Sequence, residues 1–116
     1  ETLTVFLLHC GTRWALRRRP ASGLLAGLWE WPNVPGALDA QAALDQAAAW
    51  GAAPTALERE RQLEHVFTHV EWEMHGVYLQ CRETPDRFVW VTADELEREV
   101  ALPTAFRKFW EKGNGD

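Results

Sequence analysis

The chain predicts an α+β domain, a sheet flanked by helices, and three observations carry that expectation. Runs of β-branched and aliphatic residues separated by short turns recur early and late, as in Thr2–Cys10 and Val70–Cys81. The Ala-rich segment "LDAQAALDQAAAWG" combines high helix propensity with a capping residue in front and a glycine behind. In "TADE", Thr92 and Glu95 have the spacing of a capping box, which opens a second helix. The resulting order is strand, strand, short strand, helix, strand, strand, strand, helix. Such an order suits helices packed on a sheet rather than a bundle or a pair of sheets.

Each element has its own warrant. Thr2–Cys10, the Gly11-Thr12 turn and Arg13–Arg18 read as strand, tight turn and strand. "PASGLLAGLWEWPNVPG" carries three glycines and three prolines, too punctuated for a helix, with room for a short strand over Leu28–Trp31. Asp39 caps the Ala-rich helix and Gly51 ends it. Leu57–Val66 is charged but has Leu57 and Leu63 in phase, which predicts a strand with one wet face. From Val70 the alternation is plain: Val70, Trp72 and Met74 share one side, then Val77, Leu79 and Cys81 take the other. A one-residue slip of that kind predicts a β-bulge near Gly76. Phe88–Val91 is a last strand, feeding the helix over Asp94–Glu99. Pro103 opens a closing helix whose Phe106, Phe109 and Trp110 form a stripe and which ends at Gly113. Trp29, Trp31 and Trp72 are expected in the core or on a sheet face.

Composition narrows the function classes. With 116 residues and 47% hydrophobic content the chain is expected to form one domain, residues 1–116. No apolar run reaches the ~20 residues of a membrane span, and Thr2–Leu8 lacks the basic front end and cleavage site of a signal peptide. Two cysteines, Cys10 and Cys81, are too few for a disulfide framework or a four-thiolate cluster, which suits a reduced, cytoplasmic setting. A net charge of −5 argues against gripping nucleic acid by bulk charge. The charge is uneven, however, with Arg13, Arg17, Arg18 and Arg19 inside seven residues.

"EHVFTHVEWEMHG" holds three of the four histidines and invites a metal reading. His65, His69 and His75 span a turn with no cysteine near to complete a tetrahedron, so no metal is expected. The segment reads instead as one strand ending, a turn, and another strand beginning.

Three stretches resemble the C-terminal domain of adenine DNA glycosylases of the MutY type: "RRRPASGLLAGLWEWP", "HVFTHVEWEMHGVYL" and "FVWVTADELEREVALPTAF". They stand in the family's order and span nearly the whole chain. The resemblance implies a Nudix-like (MutT-like) fold, an α/β/α sandwich with a mixed sheet flanked by two or three helices. It also implies a DNA-repair role inside the cell: recognition of 8-oxoguanine opposite adenine in double-stranded DNA, directing excision by an N-terminal glycosylase domain of the same polypeptide. The family's catalytic groups and iron–sulfur cluster belong to that other domain, so no cofactor is implied here.

A working Nudix hydrolase needs a glutamate-rich helix, G-x5-E-x7-R-E-U-x-E-E-x-G-U, because Mg²⁺ is a hard cation held by oxygen. The corresponding helix here shows Gln46, Ala47, Ala48, Ala49 and Trp50. Its only acids are Asp39 and Asp45, six apart, so a non-catalytic domain is expected. The family's recognition hairpin, usually Phe-Ser-His, falls on Phe67, Thr68 and His69. By the resemblance Thr68 reads the lesion edge, Phe67 wedges the duplex, and His69 meets a base edge or phosphate. Arg17, Arg18 and Arg19 are candidate phosphate contacts. Two rival readings remain, an active pyrophosphohydrolase of oxidised nucleotides and a protein-interaction module using "AQAALDQAAAW".

Overall fold

The computed structural model describes residues 1–110. Its strands are β1 (Thr2–Cys10), β2 (Arg13–Arg18), β3 (Trp29–Glu30), β4 (Asn33–Pro35), β5 (Pro54–Val66), β6 (Glu71–Cys81) and β7 (Val89–Thr92). The helices are α1 (Ala40–Ala49), α2 (Ala93–Glu99) and α3 (Thr104–Arg107). The path β3-β2-β1-β6-β5 forms the sheet, with β4 added to β1 and β7 added to β2. β1 and β6 run parallel and the other pairs antiparallel, so the sheet is mixed.

β1 and β2 stay together only at His9–Trp14 and Cys10–Arg13. Beyond that point they fork: β1 pairs with β4, while β2 pairs with β7 and β3. The segment Pro20–Leu28 links β2 to β3 within one prong. β4 is absent from the sequence expectation because its flanking prolines argue for loop. Pro35 is tolerated at the end of a three-residue strand, where few ladder bonds are at stake.

The sheet is covered on both sides, by different partners. Leu3, Val5, Leu7, Leu16, Trp72, Met74 and Tyr78 meet Leu96, Leu102, Phe106 and Phe109 from the α2–α3 side. Phe6, Leu8, Ala15, Val77 and Leu79 meet Ala43, Ala47 and Trp50 of α1 and Phe88 on the other side. Such two-sided cover is what lets β1 be apolar nearly throughout.

Two-sided cover also corrects the expected bulge at Gly76. β6 keeps unbroken register with β1 from Glu73 to Gln80, so no residue is inserted there. Trp72, Met74, Gly76 and Tyr78 hold one face throughout, while Val77, Leu79 and Cys81 hold the other. The apparent change of phase is the point where the second face becomes buried too. The irregularities lie on the partner strand, between Pro54 and Ala56 and between Leu57 and Arg59. Leu57 consequently packs on the α1 side and Leu63 on the α2–α3 side, opposite faces rather than the same one.

The caps form as their sequences predict. Asp39 accepts from the Ala42 amide at 2.8 Å, and Gly51 takes the left-handed conformation at φ 90°. Thr92 and Glu95 close the reciprocal box at 3.2 and 2.9 Å. The last helix is shorter than expected: it ends at Arg107 with its C-cap at Lys108, so Phe109 and Trp110 follow in a turn, and the expected stop, Gly113, itself lies outside the described residues. No helix among those described is long and apolar enough to cross a membrane.

Candidate nucleic-acid interface

β5 and β6 form the longest hairpin of the molecule, and its final pair is Val66–Glu71. The four residues between them, Phe67 to Val70, make the turn, closed by the Phe67 amide donating to the Val70 carbonyl at 2.6 Å. Thr68 and His69 are exposed at the tip. Val66 and Val70 flank them with 68% and 40% exposure, an apolar pair of shoulders on an otherwise polar end. A hydroxyl, an imidazole and apolar surface are therefore presented together on a rigid strand pair.

Phe67 is half-buried rather than free. Its ring meets His65 edge-on at 4.7 Å and Trp72 at 4.9 Å between centroids. His65 has a lowered pKa, first because burial disfavours the imidazolium and second because of the Lys108 ammonium. Lys108 is held close by donating to the Glu64 carbonyl at 3.0 Å. A neutral imidazole is the partner that Phe67 can pack against without stranding a charge.

The arginine cluster is organised around one carboxylate. Glu30, 2% exposed, accepts from Arg17 Nε at 2.8 Å, Arg19 Nη1 at 2.8 Å and Asn33 Nδ2 at 2.9 Å. Arg17 also donates to the Asn33 carbonyl and Arg19 to the Leu24 carbonyl. Arg18 lies outside this cluster: it stacks over Trp29 at 4.2 Å and donates to the Gly27 carbonyl. Of the three candidate phosphate contacts, Arg18 is thus the exposed one, while Arg17 and Arg19 are engaged by Glu30 and by the Asn33 and Leu24 carbonyls. Glu30 escaped the sequence reading. The available signal was an acid between two tryptophans in "LWEWP", downstream of three arginines, where burial of a charge demands a partner.

On α1 the inward face is methyl and indole: Ala43 and Ala47 are buried and Trp50 packs edge-on against Phe6 and Phe88. Asp39 is occupied as a cap, and Asp45 accepts from Gln41 Nε2 at 2.9 Å. The three histidines of the hairpin do not converge, since His75 Nε2 contacts Glu60 Oε1 at 2.7 Å from mid-strand. Among the described residues no three His, Cys, Asp or Glu side chains are grouped to hold a metal ion. Trp31 and Trp72 lie in the core as expected, and Trp29 packs partly against it.

The forked mixed sheet with helices on both faces is the frame in which this hairpin stands, and the profile of the NUDIX domain matches residues 4–112. The chain belongs to the Nudix family. Within that family its likeness is specific. Adenine DNA glycosylase of Rattus norvegicus is 34% identical over 105 residues, 80% of this chain and 20% of the relative. The Homo sapiens enzyme is 34% identical over 111 residues, 84% of this chain and again 20% of the relative. This Nudix domain therefore spans about a fifth of the length of those glycosylases. The C-terminal domain of mouse MUTYH, solved in complex with human PCNA, matches with a TM-score of 0.66 and 25% identity. That match covers 94% of this chain and 83% of the mouse chain.

Proposed function

We propose that this Nudix domain recognises 8-oxoguanine opposite adenine in double-stranded DNA. In this reading it directs adenine excision by a helical glycosylase domain of the same polypeptide and breaks no bond itself. The observation that carries the reading is the placement of Phe67, Thr68 and His69 together at the exposed end of the β5–β6 hairpin. The likeness to adenine DNA glycosylases supports it.

The chemistry follows from the lesion. Oxidation at C8 gives guanine a carbonyl oxygen there and turns N7 from an acceptor into an N–H donor. A reader must accept from N7 and tolerate or donate to O8, and a hydroxyl does either. Thr68 supplies that group at the tip, with a methyl that narrows its rotamers. One such contact is worth ~1–3 kcal/mol of discrimination. Phe67 offsets part of the unstacking cost when the opposing adenine is turned out of the helix. His69 meets a base edge or phosphate, and Arg18 is the favoured phosphate contact among Arg17, Arg18 and Arg19. With few free cations the isolated domain binds DNA weakly.

The absence of chemistry in this domain is supported by α1, whose two acids are engaged elsewhere and whose inner face is apolar. Mg²⁺-dependent pyrophosphate release from oxidised deoxynucleotides by the pure domain would overturn that part. The iron–sulfur cluster of the family is assigned to the partner domain, and none to this one. The mouse domain's complex with human PCNA favours one addition, that this fold also takes a protein partner.

The test is to mix the domain with a separately produced helical glycosylase half and measure single-turnover excision. The domain should raise the preference for 8-oxoguanine:adenine over guanine:adenine. Phe67→Ala with Thr68→Ala should erase that gain, and Thr68→Ser should keep it. A preference indifferent to the double substitution refutes the assignment of the hairpin.

A further inference from the structure

Phe67 can act on a duplex only if something resists its displacement, and the turn that carries it has a single backbone hydrogen bond across it. Its support comes from Trp72 of β6, 2% exposed, with ring centroids 4.9 Å apart. Trp72 is itself unusual among the tryptophans of this domain. Trp31 donates its indole N–H to the Phe106 carbonyl at 2.8 Å, Trp90 to the Pro85 carbonyl at 3.0 Å, and Trp110 to Glu97 at 3.1 Å. The Trp72 Nε1 is buried with no such partner. A buried indole is normally fixed by that bond, so the plane of this one is set by what lies against its faces and edges.

One of those contacts is charged. The Arg19 guanidinium carbon stands 5.1 Å from the Trp72 ring centroid, within the range of a cation–π contact. Arg19 does not choose that place freely. Its Nη1 donates to Glu30 Oε1 at 2.8 Å and its Nε to the Leu24 carbonyl at 2.9 Å. Glu30 is in turn anchored by Arg17 and Asn33. Burying a carboxylate costs more than an apolar cover of the same size would. A planar cation clamped by two acceptors does what an aliphatic cover does not: it fixes the orientation of the ring beneath it.

We infer that Arg19, clamped by Glu30, is the positioning residue for Phe67 and acts through Trp72. The chain of contact runs from the buried carboxylate to the guanidinium, to the indole, to the phenyl ring at the hairpin tip. The Pro20–Leu28 segment thereby sets the angle at which Phe67 stands. This rests on the reading of Phe67 as the wedge, and it assigns the "RRRPASGLLAGLWEWP" stretch a part in lesion discrimination beyond phosphate contact.

The experiment uses the whole chain, with two readouts. One is the NMR shift of the Phe67 ring, which reports the Trp72 ring current. The other is binding to duplexes with 8-oxoguanine:adenine and guanine:adenine pairs. Arg19→Lys keeps a charge for Glu30 and loses the planar face. Arg19→Met with Glu30→Gln removes both charges and guards against a misfolded protein. Both variants should move the Phe67 shifts and lower the preference for the lesion about fivefold, the scale of one cation–π contact. Unmoved Phe67 shifts overturn the inference while leaving the wedge intact, provided Phe67→Ala still lowers the preference. Moved shifts with an unchanged preference overturn it as well. If Phe67→Ala is itself neutral, the wedge reading fails and the inference falls with it.

Discussion

Gly76→Ala is the substitution whose cost the structure allows to be worked out most directly. A Cβ at Gly76 would lie 2.7 Å from Phe109 Cδ1 and closer still to Cε1. Neither side can yield cheaply. Gly76 is on β6, paired with Val5 of β1 on one side and Arg61 of β5 on the other. Phe109 is fully buried, and its carbonyl accepts from the Tyr78 hydroxyl at 2.7 Å. Overpacking of this kind costs ~1–3 kcal/mol. Against it stands the entropy that alanine removes from the unfolded chain, ~0.4–1 kcal/mol in the stabilising direction. The clash wins, leaving a net loss of about 1–2 kcal/mol. At roughly 4 °C per kcal/mol for a domain of this size, the melting temperature should fall by about 4–8 °C. Circular dichroism melts of wild type, Gly76→Ala, Phe109→Leu and the double variant form the cycle that tests this. The smaller ring site should recover most of the loss. A melting point within about 1 °C of wild type for Gly76→Ala would refute the packing argument.

Other perturbations have equally definite outcomes. Glu30→Ala deprives three donors of their acceptor. Arg17 and Arg19 keep backbone acceptors and are 31% and 17% exposed, so the cost is about 2–3 kcal/mol rather than the full penalty of a broken buried pair. Urea titration reads it, Glu30→Gln should lose less, and a shift below about 0.5 kcal/mol in both contradicts the clamp. Burial first, then Cys10 and Glu58, pushes the Cys81 thiol up to about 12. It stays protonated at pH 8, so iodoacetamide followed by mass spectrometry should label half-exposed Cys10 well before Cys81, and equal labelling would show that the strand opens. Because that folded pKa lies above the unfolded one near 9.0, its stabilising contribution is whole below pH 9 and is lost as the pH rises toward 12. His65 works in the opposite sense: its folded pKa is lowered, so its contribution is present above the ordinary value of 6.5 and is lost as the pH falls below it. An NMR titration of the His65 ring should show a midpoint below 6.5. A midpoint at or above that value would mean the ring is better solvated than its place beside Phe67 implies.

Local signals were the legible ones. The bounds of β1 and β2, the Asp39 cap, the Gly51 stop and the Thr92–Glu95 box are each decided by a few neighbouring residues, and each forms where its residues stand. The hairpin that presents Phe67, Thr68 and His69 was legible for the same reason, since alternation on either side leaves little but a turn between. β4 was not, because its three residues and two nearby prolines look like loop until β1 offers them an edge. The bulge was misplaced for a related reason. Alternation in β6 records how many faces are buried, and a single strand does not say whether a change of pattern comes from its own backbone or from new cover on the far side.

Residue order alone thus determined the kinds of element other than β4, their sequence along the chain, the apolar inner face of α1 and the turn at the hairpin end. These depend on side-chain chemistry within a few positions of one another. Only the folded arrangement decided that Glu30 would gather Arg17 and Arg19, that Arg19 would lie over Trp72, and that Gly76 must remain bare beneath Phe109. Those contacts join residues well beyond one element's reach, from the 11 and 13 positions between Glu30 and its arginines to pairs on distant elements. Their energies come from burial and from the angles between groups, which exist only once the sheet has closed around them.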